Sequence, residues 1–98
     1  MVDPANELKA LLMEGARIVW DEPHARKRSA ERDVPPFLAE RIVKKAESVC
    51  LGYPNTRTGE QRWQVEGSDE DDCLIRVIVE LRRRSGVEYL RVVTVIKI

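Results

Sequence analysis

The sequence predicts an α+β domain with three N-terminal helices packed on one face of a small, mainly antiparallel sheet. Three observations support this. The last third of the chain holds two long runs of strand-forming residues, CLIRVIVEL and YLRVVTVIKI. Proline-bounded segments with apolar residues at helical spacing fill the first half. A loop rich in Gly, Pro, Asn and Thr, LGYPNTRTGEQ, separates the halves.

The first element is a helix that begins at Pro4 and ends at Gly15. Asp3 is a preferred N-cap residue, proline suits the first helical position, and glycine suits the C-cap. Its apolar stripe comprises Leu8, Leu11 and Leu12. Residues 16–21 then form an edge strand or an extended lead-in.

Two further helices follow. Glu22-Pro23 opens a helix from His24 to Arg32, and the prolines at 35 and 36 stop it, because the residue before a proline avoids helical geometry. The next helix begins at Pro36 and runs to about Val49. Its predicted inward stripe is Phe37, Leu38, Ile42, Ala46 and Val49.

The remaining elements are strands. Residues 62–66 form one, with Trp63 and Val65 inward, and an acidic turn over residues 67–72 leads into a hairpin that turns at Arg84-Ser85-Gly86. Strict alternation places Arg91 and Thr94 on opposite faces of the last strand. The predicted apolar face of the first hairpin strand is Cys73, Ile75, Val77, Val79 and Leu81.

The amino-acid composition limits the classes of function that the chain could have. The chain has 98 residues, and 17 Lys and Arg balance 17 Asp and Glu, so its formal net charge is zero. A dedicated non-specific nucleic-acid binder is usually basic, so this balance leaves room only for a local basic groove. With no 18-residue apolar run and no signal-peptide pattern, we expect no membrane span and a cytoplasmic location.

No cofactor or metal is predicted. The sequence has no GxGxxG, P-loop or GxSxG motif, and one histidine with two distant cysteines does not make a zinc site. The run Asp69 to Asp72 lacks EF-hand spacing and is expected to be a hydrated loop. Cys50 and Cys73 stand alone, which predicts two buried free thiols in a reducing compartment.

Two clusters could carry chemistry. His24, Arg28 and Arg32 would lie along one helix face, with the histidine kept neutral at the helix start, as a general base requires. The alternative is a solvated basic face. Arg76 and Arg91, on the mixed face of the hairpin, could bind phosphate or simply pair with Glu80 across strands. Arg82, Arg83 and Arg84 form a solubilising turn or an RNA backbone contact.

The segment PHARKRSAERDVPPFLAERIVKKA, with the later Val-Val-Thr-Val, resembles a bacterial domain-of-unknown-function family. That family is grouped with RelE-like and BrnT-like toxins, in the barnase/EndoU/colicin/RelE fold. The resemblance covers Val19 to Ile98, and the matching positions are His24, Arg28, Arg32 and Thr94. Asp33-Val34-Pro35 replaces the usual Gly-Ile-Ser turn. The chain is then one domain over 1–98, with 1–15 an added helix on a RelE/BrnT-like core at 16–98.

The resemblance implies metal-independent RNA cleavage, in which the ribose 2′-hydroxyl attacks the adjacent phosphorus. His24 would act as base or acid. Phosphate stabilisation would fall to Arg28, Arg76 and Arg91, and RNA binding to Arg32, Arg82, Arg83 and Arg84. Thr94 would share that site only if its strand bulges.

The expected partners are RNA or the ribosome, and a cognate antitoxin or other protein. One alternative is a non-catalytic interaction or inhibitor module on the same scaffold, whose first helix docks on another chain. Another is nucleic-acid binding without cleavage.

Overall fold

The computed structural model of the chain describes residues 3–20, 27, 29, 31 and 34–98. Within these residues the chain forms two helices and five strands. Their bounds are α1 Pro4–Met13, β1 Arg17–Trp20, α2 Pro36–Lys45, β2 Ser48–Leu51, β3 Arg62–Ser68, β4 Leu74–Arg84 and β5 Val87–Lys97. The strands form one sheet in the order β1-β5-β4-β3-β2.

The sheet corrects the predicted fold class. Three N-terminal helices on a mainly antiparallel, RelE-like sheet were expected, but the described residues form two helices and a mixed sheet. β1 runs parallel to β5, with Arg17 opposite Tyr89, while the other three pairings are antiparallel. A parallel pairing joins distant segments, so no local turn signal reveals it. The helix predicted from His24 to Arg32 lies outside the described residues except at 27, 29 and 31.

The predicted hairpin is confirmed and occupies the middle of the sheet. β4 and β5 pair along their length and are joined by Ser85 and Gly86. Both turn residues have positive φ, 52° and 79°, as in the two-residue turns whose twist matches that of the flanking strands.

The third predicted helix ends earlier than expected. α2 begins at Pro36 but ends at Lys45, because Ala46 takes a left-handed conformation with φ 45° and ψ 45°. The chain then forms β2, an edge strand that the sequence prediction missed. A glycine usually marks the end of a helix, but this chain has alanine at that position, so the sequence did not indicate where α2 ends. Phe37, predicted inward, is 68% exposed.

The hydrophobic core lies between the two helices and one face of the sheet, here called the inner face. Trp63 and Val65 are buried on it, as predicted. A Cβ at Gly67 would lie 2.9 Å from Ile42 Cγ1, so α2 approaches β3 too closely for a side chain there. The core residues are Leu8, Val34, Leu38, Ala39, Ile42, Val43, Ala46, Trp63, Val65, Ile75, Val77, Val79, Leu90, Val92 and Val95.

The helix α1 belongs to this core. Asp3 caps it, as predicted, by accepting a hydrogen bond from the Ala5 N–H at 2.8 Å. Leu8 is fully buried, and Gln61 Nε2 donates to Glu7 Oε2 at 2.9 Å, which ties the helix to the start of β3. This helix, which the alternative of an interaction module would dock on another chain, therefore packs on its own sheet.

Candidate functional site

The face of the sheet opposite the core, here called the outer face, carries most of the sheet's charge. Its members follow from strand alternation and register. They are Arg17 and Val19 on β1, Val87, Tyr89, Arg91, Thr94 and Ile96 on β5, Leu74, Arg76, Ile78, Glu80, Arg82 and Arg84 on β4, Arg62, Gln64, Glu66 and Ser68 on β3, and Ser48 and Cys50 on β2. Six arginines thus face two glutamates.

The centre of the outer face is a buried carboxylate, Glu80, which is 0% exposed. Arg62 and Arg91 are its neighbours on the flanking strands. Arg62 Nε lies 2.9 Å from Oε1, Arg82 Nη1 lies 3.1 Å from Oε2, and Arg91 Nη2 lies 3.4 Å from Oε2. Asn55 Nδ2 donates to Oε1 at 2.9 Å. These five residues form what we call the Glu80 cluster.

The Glu80 cluster is held in its charged form. Burial raises the pKa of Glu80, but hydrogen bonds from Asn55, Arg62 and Arg82 and the charge of Arg91 outweigh it, so the pKa falls below its ordinary value. The hydrogen bond to Glu80 in turn raises the pKa of Arg82. A buried carboxylate with this many donors is stable only because each oxygen is satisfied.

Asn55 fastens the loop at 52–61 to the sheet. Its Oδ1 accepts from the Arg57 N–H at 2.9 Å, and its backbone oxygen accepts from the Gly59 N–H at 2.7 Å. The same side chain donates to Glu80. One residue therefore both shapes the turn and joins it to the buried carboxylate.

The structure separates two predicted phosphate residues. Arg91 belongs to the Glu80 cluster, whereas Arg76 Nη2 lies 3.6 Å from Glu66 Oε1. Arg76 is four residues from Glu80 on β4, about 13 Å along the strand. Both lie on the outer face, so they flank a shared surface. The predicted pairing with Glu80 is therefore confirmed for Arg91, and Arg76 pairs with Glu66 instead.

A bulge in β5 corrects the placement of Thr94. Val79 pairs with Val92 and Ile78 pairs with Thr94, so Val93 is an extra residue in the ladder. Alternation resumes after it in the opposite phase, and Thr94 lies on the same face as Arg91. The prediction of opposite faces was wrong, because nothing in the local sequence marks a bulge.

The arginines of the turn have different surroundings. Arg82 also pairs with Glu60 at 3.2 Å, and Arg83 Nη2 lies 2.9 Å from Glu88 Oε2. Arg84 is exposed. His24, Arg28 and Arg32 lie outside the described residues, and their roles stay predictions.

Both cysteines are free, as predicted, but Cys50 is exposed. It lies on the edge strand β2, which the sequence analysis did not foresee. Cys73 is half-buried. The expectation of two buried thiols is therefore wrong for Cys50.

The acidic turn is held by hydrogen bonds between its own residues. Asp69 Oδ1 accepts from the N–H groups of Asp71 and Cys73, both at 2.9 Å. The bond from the Cys73 backbone is the main cause of the lowered pKa of Asp69, and Lys97 contributes. Among the residues with described positions, no three His, Cys, Asp or Glu side chains gather as a metal site.

Sequence reasoning missed three members of the site. Arg62 and Asn55 reach Glu80 through the β3–β4 register and a loop, neither of which is readable from the chain. Tyr89 meets Arg17 through the parallel pairing. The available signal was Glu80 itself, a charged residue alternating with apolar ones in a central strand.

Comparison with known proteins does not assign the chain to a family. No protein-family model matches the chain, and no curated protein matches it. The resemblance to RelE-like and BrnT-like toxins stays a prediction. No helix in the described part of the chain is long and apolar enough to cross a membrane.

Proposed function

We propose that the protein binds RNA across the outer face of its sheet. The observation that carries this proposal is the distribution of charge. The whole chain has no formal net charge, yet its outer face places six arginines against two glutamates. Guanidinium groups suit phosphate because their N–H donors match its oxygens in pairs.

The Glu80 cluster supports this proposal by fixing its arginines. Arg62, Arg82 and Arg91 keep 26%, 31% and 24% of their side-chain surface exposed while their partner carboxylate has none. An arginine already held by a carboxylate loses less side-chain entropy when a ligand binds. The cluster therefore offers a preorganised cationic surface.

Cleavage of the bound RNA is the further step that the sequence predicts. His24 would act as base or acid, with Arg28, Arg76 and Arg91 around the phosphate. The bulge in β5 supports a common site, because it brings Thr94 to the face that carries Arg91.

Binding is tested by the anisotropy of a labelled single-stranded RNA at several salt concentrations. Arg76→Gln removes a charge from the outer face without unpairing Glu80. We expect weaker binding and a salt slope smaller by roughly 0.7, the contribution of one phosphate contact. Lys44→Gln, on the exposed side of α2, is the matched control and should bind like wild type. Equal affinity of these two variants, or no binding by wild type at low salt, would overturn the proposal.

Cleavage needs a separate measurement. Purified wild type and His24→Ala are incubated with RNA and with translating ribosomes, and the products are resolved by length. The ribonuclease hypothesis expects fragments from wild type and none from the variant. If both proteins bind RNA and neither cuts it, RNA binding stands without catalysis.

A further inference from the structure

The outer face ends in a cavity of about 540 Å³ beside Tyr89. It exists because two strands begin at different levels. β5 begins at Val87, but its pairing with β1 begins only where Arg17 meets Tyr89. The edge of β5 at Val87 and Glu88 therefore borders the cavity instead of a strand. We call this cavity the notch.

The lining of the notch combines cations, an aromatic ring and aliphatic surface. Arg17 and Arg84 both line it, and neither forms an ion pair with any described residue. Tyr89 is half-buried, whereas Val19 and Val87 are 41% and 67% exposed. Within the described part of the chain, apolar surface and positive charge without an ion-pair partner therefore lie next to each other.

The acidic residue in the notch does not cancel these charges. Glu88 lines the cavity, but its carboxylate lies 2.9 Å from Arg83 Nη2, in an ion pair of its own. Arg82 is the neighbour of Tyr89 on β4, but its guanidinium pairs with Glu80 and Glu60, so Arg17 and Arg84 supply the charge of the notch. The notch therefore favours a ligand with a flat apolar part and negative charge close to it.

We infer that the notch takes the base of an unpaired nucleotide, stacked on Tyr89, while Arg17 and Arg84 contact the adjoining phosphates. The inference rests on the proposed RNA binding and names the form of RNA recognised. The volume of the notch lies within the range of small-molecule sites, about 300–1,000 Å³. Stacking of a base on an aromatic side chain is a common basis for recognising single strands.

The inference predicts a preference for single-stranded RNA. Bases in a duplex are stacked on each other, so they cannot enter the notch without losing that stacking. Duplex RNA would meet only the arginines of the outer face. The two forms should therefore differ in their dependence on Tyr89.

The test compares a short single-stranded oligoribonucleotide with its own duplex, using the full chain. Tyr89→Leu removes the ring and keeps apolar bulk, and Tyr89→Phe keeps the ring. We expect the leucine variant to bind the single strand about 5- to 150-fold more weakly, the size of one stacking contact. The phenylalanine variant should bind like wild type, and neither should change duplex binding.

A second variant keeps the test independent of any folding defect at Tyr89. Arg17→Gln with Arg84→Gln changes two exposed side chains, and we expect a salt slope lower by roughly 1.4 on the single strand. If wild type binds neither form, the proposed RNA binding fails. If wild type binds both forms equally and the Tyr89 and arginine variants change nothing, RNA binding stands and the notch has no part in it.

Discussion

The Glu80 cluster and the notch use the same residue type in opposite ways. In the cluster, three arginines surround one buried carboxylate, and every charge has a partner within 3.4 Å. In the notch, Arg17 and Arg84 are exposed, and Glu88, the one acid among its described lining residues, pairs with Arg83. Position in the sheet explains the difference, since Glu80 lies on a central strand and the notch lies where an edge strand begins.

This comparison predicts that the arginines of the two regions contribute differently to stability and to binding. A buried ion pair holds the fold only while both partners remain, because a lone buried charge is costly. An exposed arginine without a partner contributes little to stability and is available to a ligand. Substitutions in the Glu80 cluster should therefore lower the free energy of unfolding more than substitutions in the notch do. Substitutions in the notch should instead weaken ligand binding more.

The largest effect is expected from Glu80→Gln. The change leaves three arginines around a neutral amide, and we expect a loss of about 3 kcal/mol in the free energy of unfolding, at the lower end for buried pairs because the arginines are partly exposed. The melting temperature should fall by roughly 12–24 °C. Glu66→Gln is the matched control, since its half-buried pair with Arg76 at 3.6 Å should contribute less than about 1 kcal/mol. Similar losses in the two variants would contradict the comparison.

The same carboxylate should shape the response to acid. The folded-state pKa of Glu80 lies below its ordinary value of 4.5, so its contribution to stability is complete above that value and is lost as pH falls through the folded-state pKa. Urea unfolding between about pH 5 and pH 3 should therefore show a steeper loss for wild type than for Glu80→Gln. Parallel curves would show that Glu80 has the same pKa in both states.

A smaller effect is expected where the loop joins the Glu80 cluster. Asn55→Ala removes a donor to a buried carboxylate and the acceptor that shapes the turn. We expect a loss of about 1.5 kcal/mol, typical of hydrogen bonds to charged groups. Arg57→Ala, an exposed change in the same loop, should stay within about 0.5 kcal/mol of wild type. If both variants unfold at the same urea concentration, Asn55 does not hold the loop to the sheet.

The smallest effect on stability is expected in the notch. Arg17→Gln and Arg84→Gln should each change the free energy of unfolding by less than about 0.5 kcal/mol, because neither side chain is buried. Arg62→Gln is the matched change inside the Glu80 cluster and should cost about 1 kcal/mol or more. If thermal unfolding shows the same loss of stability for all three variants, the ion pairs of the Glu80 cluster do not make its arginines more important for stability than those of the notch.

Local signals in the sequence predicted the local parts of this fold. The turn at Ser85-Gly86, the cap at Asp3 and the inward side chains of Trp63 and Val65 all follow from residues close together in the chain. The parallel partner of β1 does not, because pairing between distant segments leaves no mark in either one. The end of α2 was missed because Ala46 occupies a conformation for which glycine is the usual marker.

The candidate site shows the same limit. Alternation alone placed Arg76, Glu80 and Arg91 on one face, and that placement is confirmed. It could not supply Arg62, which depends on the β3 register, or Asn55, which depends on a loop. The notch depends on where β1 begins relative to β5, a difference of two residues between Val87 and Tyr89.

The bulge at Val93 has a consequence for how this strand tolerates changes in length. On β4, the two residues that pair on either side of the bulge are consecutive: Val79 pairs with Val92, and Ile78 pairs with Thr94. A chain shortened by that one residue would form an uninterrupted ladder, and every later side chain would keep its side. Removal of any single residue deeper in β4 would instead exchange inside and outside for the rest of that strand. Val93 is thus a residue whose removal would leave every other side chain of the hairpin on its present face.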